Sequence, residues 1–435
     1  MWRPAVIASW ALDYRVSSSP HWFHAINVLW AALAAALFAL LACELGGPAV
    51  GLVTGALFAV HPVHVEAVAN VVGRAELMAA AAYAAALWCA LRAERGGYLA
   101  GVLVCSAFAI ASKEIAVTLP AAVFLVWYAR GLDMRRAWRP AVAAAAGILA
   151  WFVIHGLVGI RTFYGGGLAV GLEGLGVVER TWAMARLSLE WWRLLLFPAH
   201  LSADYSPGEL VVSTGFTVWH VVGLLGWIGA ALLAWRTRKT IPGIAIGLAW
   251  LVITISPIAN VVMPTEFLVA ERTLYLPSFG VAFALGSAAM ALRPWRMRAA
   301  VVALVVLAAG IRSVIRIPAW HDDETHYQAL RREAPRSYRV LWLEGKDEFA
   351  AGRWGSGERL LLQSIAFAPR LTGPRYDLAR FYMSAKLWQP AIRQLETAVA
   401  LDSTFGLGRE ALQAARDSAA RYSSPRAAPK TPRGS

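Results

Sequence analysis

Five titratable side chains lie close together in the segment FAVHPVHVEAVANVVGRAE, residues 58–76, which follows a long apolar run. They are His61, His64, Glu66, Arg74 and Glu76. A His-x-x-His pair with a carboxylate can bind a metal, but Pro62 interrupts the helical spacing of the two histidines. The residues therefore allow a metal site, polar groups that cap a buried helix end, or a loop that contacts a substrate. We favour the substrate contact and assign no metal.

A second charged pair, Lys113 and Glu114, stands in the segment IASKEIAVTLP, with an apolar run on either side and almost no loop between the runs. Both charges are therefore expected at the boundary of a bilayer, where a lysine can meet a lipid phosphate. The alternative is an ion pair of Lys113 with Glu114 or another neighbour that only satisfies a tight turn. The sequence leaves both interpretations open.

A third group of charges lies in the segment NVVMPTEFLVAERTLYLPSFG, residues 260–280. Glu266, Glu271 and Arg272 precede an apolar run in this segment. An arginine can hold a phosphate through two parallel hydrogen bonds. The alternative role of Arg272 is a salt bridge that fixes the start of a helix.

The composition places these three groups in a membrane protein. Of the 435 residues, 58% are apolar and 16% are charged, whereas charged residues make up about a quarter of a typical soluble protein. The formal charge of +14 could indicate a nucleic-acid partner, but the basic residues fall in short loops between apolar runs, so no nucleic acid is expected. The three cysteines lie inside apolar runs without metal-ligand spacing, which is typical of small core residues.

Ten apolar runs are long enough to form membrane-embedded helices, and they predict an all-α, polytopic bundle. The runs cover about residues 22–44, 48–62, 75–91, 98–112, 115–129, 140–160, 216–235, 242–262, 273–292 and 299–317. Three of them, which end near Pro62, Ser112 and Tyr128, are short, as expected of helices that end at a buried polar site. The first run is too long for the hydrophobic part of a cleavable signal peptide, so no such peptide is expected.

The loops between these runs form two sets if successive spans alternate across the membrane. One set is rich in basic residues and is predicted to be cytoplasmic by the positive-inside rule. It contains Arg92, Arg95, Arg130, Arg135, Arg136, Arg139, Arg236, Arg238, Lys239, Arg293, Arg296 and Arg298. The other set holds the three charged groups described above. We therefore expect the active site on the non-cytoplasmic face, which is the periplasmic face of the inner membrane if the protein is bacterial.

The same outer face is predicted to carry residues 1–20, as the end of a loop, and a long loop over residues 161–215. Within the long loop, the segment VVERTWAMARLSLEWWRLLLFP, residues 177–198, mixes charges with tryptophans. This mixture predicts an amphipathic helix that is interfacial or re-entrant and not a full span. The membrane domain as a whole is predicted to cover residues 21–317.

The composition changes after the last apolar run, where charges become frequent and apolar residues become periodic. Residues 338–371 and 372–405 align at a period of 34, which is the length of a tetratricopeptide repeat. A third helical segment, about residues 406–421, would cover the end of the repeat stack. The sequence thus predicts a short helical repeat solenoid at residues 318–421, followed by a disordered basic tail at residues 422–435.

These motifs resemble those of a known family. The segments HPVHVEAVANVVGRAE (61–76), SKE (112–114), LLLFPAHLSADYS (194–206) and AERTLYLPS (270–278), followed by the repeats, are similar to the transmembrane and tetratricopeptide-repeat O-mannosyltransferases. These proteins are GT-C class glycosyltransferases. The resemblance runs in order over nearly the whole chain, and AERTLYLPS is particularly specific.

The resemblance implies a polytopic helical enzyme that moves a mannose-like sugar from a polyprenyl-phosphate donor to a protein hydroxyl or another acceptor. Transfer would occur on the non-cytoplasmic face, where the repeats also lie and where they could bind the acceptor protein. No cofactor is implied besides this donor lipid. The residues expected to bind donor or substrate are His61, His64, Glu66, Arg74, Glu76, Lys113, Glu114, Asp204, Glu271 and Arg272. Of these, Lys113 and Arg272 would stabilise the leaving phosphate, and the two histidines with Glu66 would shape the sugar pocket.

The chain departs from the family in one respect. The family's catalytic acid is one of two adjacent acidic residues in the first outer loop, after a first span. Here Asp13 is a lone acid, and the adjacent pair Asp322 and Asp323 lies at the junction with the repeats. The resemblance therefore assigns no catalytic residue. It leaves the expectation that the product extends upstream of Met1, or that the chain is an inactive, membrane-anchored repeat scaffold that binds proteins.

Overall fold

The computed structural model describes residues 2–95, 97–159, 168–262 and 265–423. Within these ranges the chain is helical and has no β-strand. The α-helices are α1 (Pro4–Val16), α2 (Pro20–Gly46), α3 (Pro48–Ala59), α4 (His64–Ala69), α5 (Arg74–Ala90), α6 (Gly97–Ser112), α7 (Leu119–Ala129), α8 (Trp138–Leu157), α9 (Val177–Leu196), α10 (Val218–Thr237), α11 (Pro242–Ile255), α12 (Tyr275–Met290), α13 (Trp295–Arg316), α14 (Asp323–Glu333), α15 (Tyr338–Ala350), α16 (Trp354–Phe367), α17 (Thr372–Ser384), α18 (Trp388–Leu401) and α19 (Gly406–Ser423). Short 3₁₀ helices cover Val71–Gly73, Glu114–Thr118, Ser256–Ile258, Glu271–Leu274 and Ile317–Trp320.

Six helical segments in the described residues are long and apolar enough to cross a membrane. They are Pro20–Gly46, Val71–Ala90, Trp138–Leu157, Val218–Thr237, Glu271–Met290 and Trp295–Trp320. Four shorter apolar helices lie between them, at Pro48–Ala59, Gly97–Ser112, Glu114–Ala129 and Pro242–Ile258. Each of the ten predicted runs falls on one of these segments, so the prediction of an all-α fold with several membrane-capable helices is confirmed.

The sequence marks several of the helix ends. Proline is the first residue of α1, α2, α3 and α11, where its fixed φ suits the first turn and its missing N–H costs no hydrogen bond. Gly47 separates α2 from α3 with a φ of 86°, a conformation that glycine adopts without steric cost. The chain therefore reverses between α2 and α3 with a single residue outside the helices.

The helices form two compact units. Of the described residues, those within 2–205 and Val212–Glu333 form the membrane unit, and those within Ser206–Val211 and 334–423 form the repeat unit. Helix α14 thus belongs to the membrane unit, although it lies beyond the predicted end of the membrane domain at residue 317.

Helix α5 is the most enclosed of the long helices of the membrane unit. Its alanine-rich stretch, from Ala75 to Leu87, packs on α2 and α6 and also touches α12. Small side chains allow helix backbones to approach closely, which is how helices pack in a bilayer. By contrast, α10 and α13 leave most of their apolar residues exposed, as expected of helices that face lipid.

Antiparallel packing gives the membrane unit two ends of different character. Helices α2 and α3, α5 and α6, and α11 and α12 pack as neighbours with reversed chain direction. The starts of α2, α5 and α12 and the ends of α3, α6 and α13 therefore lie at one end, which we call the site end. The basic loops after α5, α7, α10 and α12 lie at the opposite end, which we call the arginine-rich end.

The repeat unit consists of helix pairs. Helices α15 and α17 begin at Tyr338 and Thr372, 34 residues apart, and α16 and α18 begin at Trp354 and Trp388, also 34 residues apart. Leu361 of the first pair and Leu395 of the second occupy matching buried positions. Helix α19 packs on α18 and extends the stack. The predicted basic tail begins in the last residues of α19, and its part from residue 424 lies outside the described residues.

Candidate functional site

The site end carries a network of four charged side chains that we call the lysine cluster: Arg3, Glu76, Lys113 and Glu114. Lys113 Nζ lies 2.6 Å from Glu76 Oε1. The Arg3 guanidinium donates to both Glu114 oxygens, at 3.2 Å from Nε and 3.1 Å from Nη2. Each cation also interacts electrostatically with the other pair's carboxylate. The cluster thus holds two cations between two carboxylates at a helix junction.

The elements around this cluster explain its position. Helix α6 ends at Ser112, and extended backbone at Lys113 leads directly into the 3₁₀ helix at Glu114–Thr118, so little chain separates the two helices. Lys113 side-chain exposure is 14% and that of Glu76 is 3%. Burial lowers the pKa of Lys113, and the Glu76 carboxylate opposes this shift. Lys113 therefore forms an ion pair, and its partner is Glu76 of α5 and not the adjacent Glu114.

Arg74 lies two residues before Glu76 at the start of α5 and has a different set of contacts. Its fully buried guanidinium forms an ion pair with Asp13 of α1 and donates to Ser9 Oγ at 2.9 Å and to Asn27 Oδ1 at 2.7 Å. It also donates to the Phe23 carbonyl oxygen at 2.9 Å. These partners belong to α1 and α2, so Arg74 joins three helices and presents no donor group to a surface.

A second set of predicted residues meets where the 3₁₀ helix Glu271–Leu274 packs against α4. Arg272 forms an ion pair with Glu66 through its guanidinium, and its backbone N–H donates to the other Glu66 oxygen at 2.9 Å. The guanidinium also lies over the Phe267 ring, 4.5 Å from its centroid. The alternative interpretation of Arg272, a salt bridge that fixes the start of a helix, is therefore observed in the structure.

Glu271 points away from this pair into the protein. Its Oε1 accepts hydrogen bonds from the Ser202 backbone N–H at 2.6 Å and from the Tyr205 hydroxyl at 2.7 Å. Burial, together with the Glu271 carboxylate, raises the pKa of Tyr205 well above its usual value, so the phenol stays a donor. Ser202 and Tyr205 lie in the segment LSADYS, which also contains the predicted residue Asp204. Asp204 is buried there, and its backbone exchanges hydrogen bonds with the Ser202 hydroxyl.

The two histidines occupy the end of α3 and the start of α4. His61 Nε2 donates to the Leu195 carbonyl oxygen at 3.1 Å, which places the hydrogen on that nitrogen because a carbonyl can only accept. His64 Nε2 lies 2.8 Å from Ser278 Oγ. Burial lowers the pKa of His61 to about 4, so the imidazole is neutral near pH 7. No group of three or more potential metal ligands occurs in the part of the chain that the structure describes.

The predicted site residues thus form three sets at the site end. The first set is Glu76, Lys113 and Glu114. The second set lies near the two histidines and contains Glu66, Glu271, Arg272 and Asp204. The third is Arg74 alone, which joins helices. The sequence analysis missed Arg3, Tyr205 and Arg316. Arg316 is the last residue of the last apolar helix, and its charge next to a span was a signal that could have selected it.

Comparison with known proteins supports the motif resemblance. No family model and no solved structure matches the chain. Mouse protein O-mannosyl-transferase TMTC4 is 25% identical over 411 residues, which cover 80% of this chain and 55% of that protein. Human protein O-mannosyl-transferase TMTC3 is 24% identical over 326 residues, which cover 64% of this chain and 34% of that protein.

The curated relatives are protein O-mannosyl-transferases. A shorter stretch of 81 residues is 44% identical to Drosophila melanogaster protein O-mannosyl-transferase Tmtc2 and covers 18% of this chain and 9% of that protein. The predicted similarity to O-mannosyltransferases is therefore confirmed. The chain spans about half the length of the TMTC4 proteins that it matches.

Proposed function

We propose that this protein is a membrane glycosyltransferase of the GT-C class that moves a mannose-like sugar from polyprenyl phosphate to a protein hydroxyl. The reaction would take place at the site end, on the non-cytoplasmic side of the membrane. The names of the curated relatives support transfer of mannose to proteins. The lysine cluster supports a phosphate-bearing lipid as the donor, and this cluster is the observation that carries the proposal.

The lysine cluster suits a lipid phosphate for reasons of charge and position. Lys113 follows the apolar helix α6, and Arg3 lies beside it through its bond to Glu114, so both are placed where the headgroup of a membrane lipid would be found. Both side chains are partly exposed, at 24% for Arg3 and 14% for Lys113. A phosphate that approaches them can form charge-assisted hydrogen bonds while Glu76 and Glu114 keep the two cations in place.

The chemistry would be a direct displacement at the anomeric carbon of the donor sugar. The acceptor oxygen forms a bond to that carbon as the bond to the phosphate oxygen breaks, and the electron pair leaves with polyprenyl phosphate. A base takes the proton of the acceptor hydroxyl. The lysine cluster would stabilise the charge that develops on the leaving phosphate. Asp13, Glu66 and Glu76 are each held in an ion pair, so no base is assigned among them.

The repeat unit supplies a surface for the acceptor in this proposal. Stacked helix pairs at a 34-residue period are the arrangement of tetratricopeptide repeats, whose concave surfaces bind extended segments of other proteins. We therefore infer that an acceptor polypeptide is the partner of the repeats.

Lys113→Ala is expected to weaken binding of polyprenyl-phosphate mannose about 10- to 100-fold, because a lost hydrogen bond to a charged group is worth about 1.5–3 kcal/mol. Binding is measured with protein in lipid nanodiscs, and transfer of radiolabelled sugar to a serine- and threonine-containing peptide is the second readout. Lys113→Arg keeps the charge and is expected to retain most of the binding.

Two further variants separate phosphate binding from folding. Lys113→Ala with Glu76→Gln removes the unpaired carboxylate, so its thermal stability is expected to recover while donor binding stays weak. Arg92→Ala breaks a more exposed ion pair with Glu44 at the arginine-rich end and is expected to leave donor binding unchanged. If donor binding of the double variant recovers together with its stability, the role of Lys113 is only to stabilise the turn between α6 and the following 3₁₀ helix. Donor binding without transfer favours the scaffold over the enzyme.

A further inference from the structure

Four side chains near the end of α13 have buried polar atoms without hydrogen-bond partners among the residues that the structure describes. These residues, which we call the Arg316 cluster, are Glu271, Arg316, Trp320 and Glu333. The unpartnered atoms are Glu271 Oε2, Arg316 Nε and Nη2, Trp320 Nε1 and Glu333 Oε2. A buried polar atom without a partner costs about 1–3 kcal/mol, so several such atoms in one place indicate that a polar occupant completes them.

The four residues belong to one neighbourhood of the membrane unit. Arg316 forms an ion pair with Glu333 through Nη1, and its guanidinium carbon lies 5.9 Å from the centre of the Trp320 ring. Arg316 also interacts electrostatically with Glu271. Glu271 is fully buried and Arg316 is 3% exposed, whereas the Glu333 side chain is 24% exposed. Glu333 therefore marks the side of the cluster that solvent can reach.

The charges of the cluster restrict what can occupy it. The Glu333 carboxylate repels a phosphate, and Arg316 repels a cation, since either ion would be buried beside a like charge. A neutral group with several hydroxyls suits both the cationic and the acidic side chains of the cluster. Each hydroxyl can accept a hydrogen bond from Arg316 or Trp320 and donate one to a carboxylate. The arrangement therefore favours a sugar ring.

We propose that the Arg316 cluster binds the hydroxyl groups of the donor sugar. This inference rests on the proposed function and adds three residues, Arg316, Trp320 and Glu333, that the sequence analysis did not select. Glu271 takes part through its second carboxylate oxygen, while Tyr205 and Ser202 hold the first. Tyr205 and Ser202 are thus positioning residues for Glu271.

The test compares three probes on the full chain in nanodiscs: polyprenyl-phosphate mannose, polyprenyl phosphate without sugar, and free mannose. The wild-type protein is expected to bind the sugar-bearing lipid about tenfold or more tightly than the sugar-free lipid. Glu271→Gln and Arg316→Lys are expected to reduce that ratio toward one and to leave binding of the sugar-free lipid unchanged. Free mannose is expected to compete at high concentration with the wild-type protein and not with these variants.

Binding of the sugar-free lipid distinguishes a failure of this inference from misfolding of a variant and from a failure of the proposed function. Because a misfolded variant would lose this lipid as well, unchanged binding of it shows that the variant is folded. If wild-type protein binds the two lipids equally, or if both variants keep the wild-type ratio, the Arg316 cluster holds water only and the inference is wrong while the proposed donor site stands. If the wild-type protein binds neither lipid, the proposed function fails and this inference fails with it.

Discussion

Arg74 shows how one buried side chain determines the position of three helices. Its partners, Ser9, Asp13, Asn27 and the Phe23 carbonyl, lie on α1 and α2, whereas Arg74 itself begins α5. Asn27 in turn donates to the carbonyl oxygens of Val68 and Asn70. The lysine cluster contains Glu76, two residues after Arg74, and therefore depends on this network for its position.

Arg74→Met is expected to lower the free energy of unfolding by about 3–5 kcal/mol, because it leaves the Asp13 carboxylate buried without a counter-charge. Thermal unfolding in detergent measures the loss. Arg74→Met combined with Asp13→Asn is expected to recover part of it, since the double variant buries no unpaired charge. Equal stability of Arg74→Met and the wild-type protein would show that Asp13 is solvated.

At the residue scale, the sequence predicted which residues belong to the site end better than it predicted their partners. A charge beside an apolar run costs free energy unless it is paired or faces a cavity. On this criterion the sequence selected Lys113, Glu76 and Glu271. The partners are distant in the chain: Arg3 pairs with Glu114 across 111 positions, and Arg272 bonds Glu66 across 206. Such pairs depend on tertiary packing, which local spacing does not encode.

Helix α9 is the element on which the second set of site residues depends. It packs on α10, and its final turn provides the Leu195 carbonyl oxygen that accepts from His61. The close approach occurs at Gly223 of α10, where an added Cβ would lie 1.9 Å from the Ala185 carbonyl oxygen. The amphipathic sequence of α9 predicted this helix, whereas its docking point depends on a single glycine.

Gly223→Ala is expected to displace α9 and to cost about 1–3 kcal/mol of stability, because a methyl group cannot fit against the Ala185 carbonyl. Gly229→Ala on the same helix is the matched control, since a Cβ there meets no atom within 4 Å. Thermal unfolding and donor binding are measured for both variants. A Gly223→Ala protein as stable as the control would show that α9 and α10 are not tightly packed.

At the element scale, long apolar runs predicted the helices well because length and apolar content are the main requirements for a membrane helix. The segment predicted as a loop over residues 1–20 contains α1. This helix is short and carries charged residues, so a search for long apolar runs does not select it. Helix α1 is held instead by specific contacts, from Asp13 to Arg74 and from Val6 to the neighbouring Ala75 and Met78. Such contacts are not visible in a hydropathy pattern.

At the scale of the whole molecule, the two ends of the membrane unit differ in their basic residues. The arginine-rich end carries many basic residues in its loops, and some of them, such as Arg135, are exposed. At the site end, Arg3, Lys113 and Arg272 form ion pairs with carboxylates. By the positive-inside rule, we propose that the arginine-rich end lies in the cytoplasm. The site end, with the proposed donor site, would then face the opposite side.

This orientation is tested by labelling single cysteines with a membrane-impermeant maleimide, in a chain whose three native cysteines are replaced. Val72 suits the site end because its side chain is 55% exposed, whereas the adjacent Gly73 cannot carry a side chain, since a Cβ there would lie 2.1 Å from the Ala67 carbonyl oxygen. Val72→Cys is expected to react in intact cells, and Arg135→Cys only after the membrane is permeabilised. Leu149→Cys, exposed in the middle of α8, is expected to react in neither state because lipid covers it. Reaction of Val72→Cys and Arg135→Cys from the same side would contradict the alternation of spans, and the reverse pattern would place the lysine cluster in the cytoplasm.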